Sequence, residues 1–254
     1  VRTSEDSMAR ARQIGLFYVM LLWLGMMLLI GNVAVLPLLL TPRWFREPLV
    51  QGLISHLFRV FLAGAQRSGL MQLDLNQLDV LNHHKGLVLV ANHPSMIDVF
   101  LVISRVRRAA CLMKASIGSN ILFGAGAYLA GYVSNRKPGE MLRSASNTVR
   151  RGPHLLVFPE GTRTTRQPVN DIKPGVALIA KRTGQPLQTI LIRTNSPYLS
   201  KGWRLFRPPQ FPLVYQASLG AQLSATGVCA HTARSLQDYF EAQMACSIDP
   251  TFRL

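Results

Sequence analysis

From Gly15 to Leu36 the chain runs for 22 residues without a charge and with a single polar side chain, Asn32. As a helix, such a run can cross the hydrocarbon core of a bilayer, which needs roughly 20 apolar residues. A cleavable signal peptide has a shorter apolar core and a small-residue cleavage site, and the LPLLLTP that follows supplies neither. No other stretch is as long and as apolar, which excludes a polytopic transporter. The sequence therefore predicts a hydrophobic helix over residues 13–40 or thereabouts. Arg10 and Arg12 precede it and Arg43 and Arg46 follow, so the flanks leave both a spanning and a re-entrant helix open. After Pro48, apolar positions recur every three or four residues around one full charge, Arg59, predicting a second, amphipathic helix over about 48–67. An interfacial helix and a helix covering a globular core fit that pattern equally. Residues 1–70 thus read as an N-terminal membrane anchor and residues 71–254 as one α/β domain. The chain opens on Val1 rather than Met, so the reading places its true start upstream or at a non-Met codon.

Beyond residue 70 the texture changes to short β-like runs separated by turn signals: Met71–Leu75, Gly86–Ala91, Ala109–Met113, Tyr132–Asn135, His154–Phe158, Leu187–Arg193 and Leu213–Ala217. Helical patterns lie between or after them at Ile97–Ser104, Gly139–Arg150, Gly175–Arg182 and His231–Ala245. Strands alternating with helices predict a largely parallel sheet flanked by helices.

Charge narrows the function classes. Lys and Arg number 28 against 12 acids, and between Arg105 and Arg207 the ratio is 18 to three, the acids being Glu140, Glu160 and Asp171. A solvated helical face carries both signs, so this one-sign excess predicts an anion-facing surface: nucleic acid, anionic lipid or phosphorylated substrate. Neither a helix-turn-helix, a zinc finger nor an aromatic RNA-binding signature is present, which weighs against nucleic acid. Cys111, Cys229 and Cys246 are odd in number and lack metal-ligand spacing, so no disulfide framework and no metal site is expected.

Two strand ends carry the chemistry. Gly86–Ala91 opens into Asn92-His93-Pro94-Ser95-Met96-Ile97-Asp98, the strand-to-helix junction where α/β proteins place active sites. On one regular helix, five residues turn about 500°, which separates the side chains of His93 and Asp98. With His93 in the loop and Pro94 opening the first turn, Asp98 can point back at the imidazole, fix its tautomer and leave the other nitrogen as a general base. Ser95-x-x-Asp98 is also close to a capping box, so Asp98 could equally close a helix N-terminus. The second strand, His154–Phe158, ends in Pro159-Glu160-Gly161-Thr162-Arg163. There Gly161 permits a tight turn, Arg163 offers a planar fork for phosphate oxygens, and Glu160 is expected to pair with or orient a cation. Read blandly, the same residues are an ordinary turn and a surface charge.

Together these residues resemble the glycerolipid acyltransferases, of the 1-acylglycerol-3-phosphate O-acyltransferase type. Asn92 to Asp98 match the family's N-H-x-x-x-x-D motif and Phe158 to Arg163 match F-P-E-G-T-R at every position, about 65 residues apart, as in the family. A further motif, an apolar run from a Gly to a phosphate-binding Arg, resembles Gly131 to Arg136, one residue short and with Asn135 in place of Asp. Pro186 to Ile190 loosely match the last motif and are read first as packing.

The resemblance implies acyl transfer from acyl-CoA or acyl carrier protein to the hydroxyl of a lysophospholipid, with 1-acylglycerol-3-phosphate as the leading acceptor. It implies His93 and Asp98 as catalytic residues, and Arg136, Glu160, Gly161, Thr162 and Arg163 as substrate-binding residues. It requires no cofactor and no metal. The partners it implies are lysophospholipid, acyl thioester, membrane lipids and, for one donor, acyl carrier protein, with no nucleic acid. The basic face would lie on the cytoplasmic side of the inner, or plasma, membrane. The alternatives are another lysolipid acceptor or, in a different class, a membrane-anchored basic protein that binds nucleic acid or anionic lipid without catalysis.

Overall fold

A computed structural model describes residues 4–225 and 227–245; Val1, Cys246 and the last residues of the expected 71–254 domain lie outside these. The chain begins with two long helices, α1 (Ser4–Ala34) and α2 (Arg43–Arg67), joined by a 3-10 turn at Leu36–Leu40. The strands that follow are β1 (Met71–Asp74), β2 (Val88–Ala91), β3 (Ala109–Met113), β4 (Val133–Ser134), β5 (His154–Val157), β6 (Leu187–Thr194) and β7 (Leu213–Leu223). Between and after them lie α3 (Asp98–Arg105), α4 (Gly124–Leu129), α5 (Pro138–Arg150), α6 (Gly175–Thr183) and α7 (Cys229–Ala245).

All seven strands form one sheet, ordered β1-β7-β6-β2-β5-β3-β4, in which β6–β7 is the antiparallel pairing among the described residues. Alternation along the central strands sorts the core into two layers. Leu89, Ala91 and Leu156 face an apolar cluster that includes Phe58, Phe61 and Leu62 of α2, Leu101 and Val102 of α3, and Phe17 of α1. Val88, Val90 and Leu155 face the opposite cluster, built by Ala145 and Val149 of α5, Ile179 of α6, and Leu236 and Phe240 of α7. Strands buried on both faces by helices are what near-continuous apolar runs demand.

The expected largely parallel sheet with flanking helices is present, with differences at particular elements. The first helix starts at Ser4 and gives way to the 3-10 turn after Ala34, because Pro37 cannot donate to an α-helical ladder. The second starts at Arg43, not after Pro48: Pro42 stands at its N-cap and Pro48 is accommodated in the second turn. Its buried face, including Phe58, Phe61 and Ala65, covers the sheet, while Trp44, Phe45, Leu49 and Leu53 remain exposed. One helix thus serves as a core cover and presents an apolar outer face. β4 is only two residues long, β7 runs to Leu223, and α4 is an addition to the expected helices. Both α1 with its following turn and α2 are long and apolar enough to cross a membrane.

Two polar contacts seat these helices. Asn32, the one polar residue of the apolar run, accepts from Gly126 N–H at 2.7 Å and donates to Leu28 O at 3.0 Å and to Leu122 O, clipping α1 to the start of α4. Glu47 is buried in the first turns of α2, where it pairs with Arg43 at 3.1 Å and with Arg151, at the end of α5, at 3.0 Å. Its carboxylate lies against Gly131, which has φ +73°, where a Cβ would come within 2.9 Å of Glu47 Cδ. Gly131→Ala therefore meets both left-handed backbone strain and a collision with a paired carboxylate. We expect it to destabilise the protein by roughly 2 kcal/mol, read as a fall in Tm of about 4–8 °C by calorimetry.

Candidate active site

The parallel strands β2, β5, β3 and β4 are neighbours, so their C-terminal ends share one edge of the sheet and bring together segments far apart in sequence. At the end of β2 the Asn92 side chain continues the ladder in place of backbone, donating to Ile192 O at 2.8 Å and accepting from Ile192 N–H at 2.7 Å. The chain then turns out of the sheet, placing His93 in the loop above the edge. α3 begins at Asp98 rather than at Pro94, and Pro94–Ile97 forms a turn before it. That turn swings Asp98 back under the imidazole.

His93 Nδ1 lies 2.8 Å from Asp98 Oδ2, and the same oxygen accepts the Ser95 N–H at 2.8 Å. The two readings of Asp98, orienter of the histidine and cap of the turn, are both realised by one carboxylate oxygen. With Nδ1–H donated to Asp98, Nε2 keeps its lone pair, and the side chain is 15% exposed, enough for a substrate hydroxyl to reach it. Phe158 stacks on the imidazole, with ring centroids 4.1 Å apart and planes at 24°, holding it flat. Asp98 itself is fully buried, and burial pushes its pKa up despite the opposing hydrogen bonds from His93 and Ser95. Its Oδ1 is buried without a hydrogen-bond partner.

Glu160 departs from its expected pairing. It is buried and takes part in none of the ion pairs among the described residues. Instead it accepts the His93 N–H at 2.8 Å, the Asn170 N–H at 2.9 Å, and the Thr164 hydroxyl at 2.9 Å from each oxygen. Thr164 N–H in turn donates to His93 O at 2.7 Å. Glu160 therefore fastens the β5 loop to the backbone of His93.

Arg163 is half-buried and spends Nη1 on Leu199 O at 2.9 Å and Ser200 O at 3.1 Å, leaving its other two nitrogens for a ligand. Gly161 has φ +70°, and the Lys173 side chain lies across it, Nζ 2.7 Å from where a Cβ would stand. Thr162 is exposed. Arg136 follows β4 on the same edge, exposed, with its N–H bonded to Ser134 Oγ at 3.3 Å. Three strand spacings of about 4.8 Å separate β4 from β2, so Arg136 stands at the far side of the edge from His93.

Residues outside the sequence motifs complete the site. The loop after β6 supplies Tyr198 O, which accepts from Ser95 Oγ at 2.8 Å, and Leu199 O, which accepts from Met96 N–H at 3.1 Å. Tyr215, fully buried on β7, donates to Ser95 Oγ at 3.4 Å. Lys173 adds a cation beside Gly161. Phe158 was legible as part of its motif; Lys173, Tyr198 and Tyr215 had no local signal. Cys111 is buried, which pushes its thiol up to about 12 and removes it as a nucleophile at neutral pH.

A histidine held by a buried carboxylate at the C-terminal edge of a mainly parallel sheet, with a basic rim, defines a transferase- or hydrolase-type site driven by a general base. Residues 72–193 match the family described as Acyltransferase. The chain is 27% identical over 151 residues to a 1-acyl-sn-glycerol-3-phosphate acyltransferase of Chlamydomonas reinhardtii, covering 57% of the chain and 46% of that protein. It is 26% identical over 120 residues to the chloroplastic 1-acyl-sn-glycerol-3-phosphate acyltransferase of Brassica napus, covering 45% and 35%. The chain thus spans less than half the length of these two curated relatives. The crystal structure of the 1-acyl-sn-glycerophosphate acyltransferase PlsC from Thermotoga maritima superposes with a TM-score of 0.62 over 89% of this chain and 98% of that one, at 17% identity, and so shares the fold.

Burial sets a sign for Asp98. Its folded pKa lies above its unfolded value, so the folded state binds the extra proton and stability falls as pH rises through that interval. Above that interval the ionised carboxylate is a net cost to folding. Asp98→Asn should therefore keep or raise Tm at pH 7. It should also lower kcat by orders of magnitude, about 10⁴ in a comparable His–Asp pair, because the imidazole loses its fixed tautomer. Melting and steady-state rates on the same preparation check both halves.

Proposed function

We propose that the protein is a membrane-associated acyltransferase that moves a fatty acyl group from an acyl thioester to the free hydroxyl of a lysophospholipid, with 1-acylglycerol-3-phosphate as acceptor and phosphatidic acid as product. The observation that carries this reading is the 2.8 Å His93–Asp98 contact with Nε2 left open on the basic edge of the sheet. His93 Nε2 takes the hydroxyl proton as the acceptor oxygen bonds to the thioester carbonyl carbon. Collapse of the tetrahedral adduct breaks the C–S bond, and the imidazolium returns the proton to the departing thiolate. The buried Asp98 stabilises the imidazolium in between, which is when its charge is compensated.

The open nitrogens of Arg163, with Lys173 and Arg136 around the edge, support an acceptor bearing a phosphate. The same positive field suits the phosphates of CoA and the acidic surface of acyl carrier protein, so the donor is the less constrained substrate. The apolar faces of α1 and α2 support attachment to a membrane, and the basic edge suits the anionic cytoplasmic leaflet. The two helices are read as the anchor and residues 71–254 as the catalytic unit, although the buried face of α2 belongs to the core that both share.

The test measures free thiol released from acyl-CoA and from acyl carrier protein across a panel of lysolipids. Release should depend on added acceptor, and 1-acylglycerol-3-phosphate should be preferred over acceptors with larger headgroups. Thiol release without acceptor would mark a hydrolase and end the proposal. Arg136→Ala should raise the KM for the phosphate-bearing acceptor about tenfold or more, as for the loss of a charge-assisted bond, while Lys181→Ala, on the far helix α6, should leave it unchanged.

A further inference from the structure

The connection between β6 and β7 carries Lys201, Arg204 and Arg207 and no acid between Asn195 and Pro212. All three cations are exposed, and between them Leu205 and Phe206 are 41% and 69% exposed. The backbone that carries these two apolar side chains is held in place. Tyr18 of α1 donates its hydroxyl to Phe206 O at 3.1 Å, Trp203 Nε1 donates to Arg207 O at 3.0 Å, and the Arg207 guanidinium sits 4.8 Å from the Trp203 ring. Beneath them Phe17 packs edge-on against Tyr198 and also contacts Phe211. Phe206 thereby adjoins, at Tyr18, the exposed apolar stripe of α1 formed by Tyr18, Val19, Leu22 and Met26.

An apolar pair flanked by cations and continuous with an apolar helix face has the chemistry of an interfacial lipid contact. The inner end of the same loop touches the site. Leu199, held in the left-handed region at φ 57°, presents its carbonyl to both Met96 N–H and Arg163, and Ser200 O takes the second Arg163 bond. We propose that Lys201–Arg207 is a second contact for an anionic membrane surface, distinct from the helix pair, and that it sets the position of Arg163 through Leu199 and Ser200. This rests on the proposed membrane attachment of α1. The continuity with α1 commits the surface to a bilayer, because a flat lipid surface meets both elements at once.

The experiment reads hydrogen–deuterium exchange of the full chain in detergent, in phosphatidylcholine vesicles, and in vesicles containing added phosphatidylglycerol. Peptides from α1 should be protected on both vesicle types. Peptides spanning 199–207 should exchange at least about fivefold more slowly on the anionic vesicles, since even one basic group near such a surface contributes about a fivefold factor. Leu205→Ser/Phe206→Ser should abolish that protection and lower acyl transfer to vesicle-borne acceptor severalfold, while transfer to a detergent-dispersed acceptor stays unchanged. Protected α1 with identical exchange of 199–207 in all three settings would overturn this proposal and leave the anchor standing. Unprotected α1 would overturn the membrane reading itself. Protection of 199–207 by acyl carrier protein in detergent, without any from anionic vesicles, would assign the surface to a protein and overturn the lipid contact.

Discussion

The sheet edge that carries His93 depends on holding two carboxylates in the interior, neither of them in an ion pair with Lys or Arg among the described residues. Burying such a group costs several kcal/mol unless donors surround it. Glu160 meets that demand with the backbone N–H groups of His93 and Asn170 and the Thr164 hydroxyl, donors that come from the loop after β2 and the loop after β5. Satisfying one side chain thereby fixes the relative position of two strand ends. Asp98 meets the demand only in part, with one oxygen bonded to His93 and Ser95 and the other unpartnered. The first carboxylate builds the frame; the second holds the His93 imidazole at Nδ1 and leaves Nε2 facing outward.

The apolar N-terminus is integrated with that frame. α2 buries Phe58, Phe61 and Leu62 against the sheet and reaches the turn before β4 through Glu47 and Gly131. α1 is clipped by Asn32 to α4 and by Tyr18 to the β6–β7 loop. These are polar contacts made by otherwise apolar helices, each to a backbone group or a cation of the α/β part. Such contacts fix rotation about the helix axis, which apolar packing alone leaves loosely specified, and so determine which apolar side chains stay outside.

The legible part of the fold was the part governed by local pattern. Central strands such as His154–Val157 read as uninterrupted apolar runs because both faces are covered, and α5 and α6 read by period. One helix start was misread where proline was the guide: Pro48 looked like an opening, yet α2 begins behind Pro42. α3 begins at Asp98, one residue from the expected Ile97, and Pro94 stands in the turn before it rather than in its first turn. The contact between His93 and Asp98 was legible from their spacing across a loop and turn. Glu160 was expected beside a cation and instead bonds backbone N–H groups, which leave no trace in residue identity. Tyr198, Tyr215 and Lys173 reach the site through tertiary contacts with no spacing to betray them.

The pairing of β1 with β7 has a consequence in time. Gln216 and Asp74 are neighbours across that ladder although 142 residues separate them, and Tyr18 and Phe206 are 188 apart. During synthesis the N-terminal helices and β1 therefore emerge long before the segments that cover Phe17 and close the sheet edge. Contacts of such high sequence separation form late and leave intermediates with uncovered apolar surface. A nascent chain beside a bilayer has a place to put that surface while it waits; one released into water has only other nascent chains.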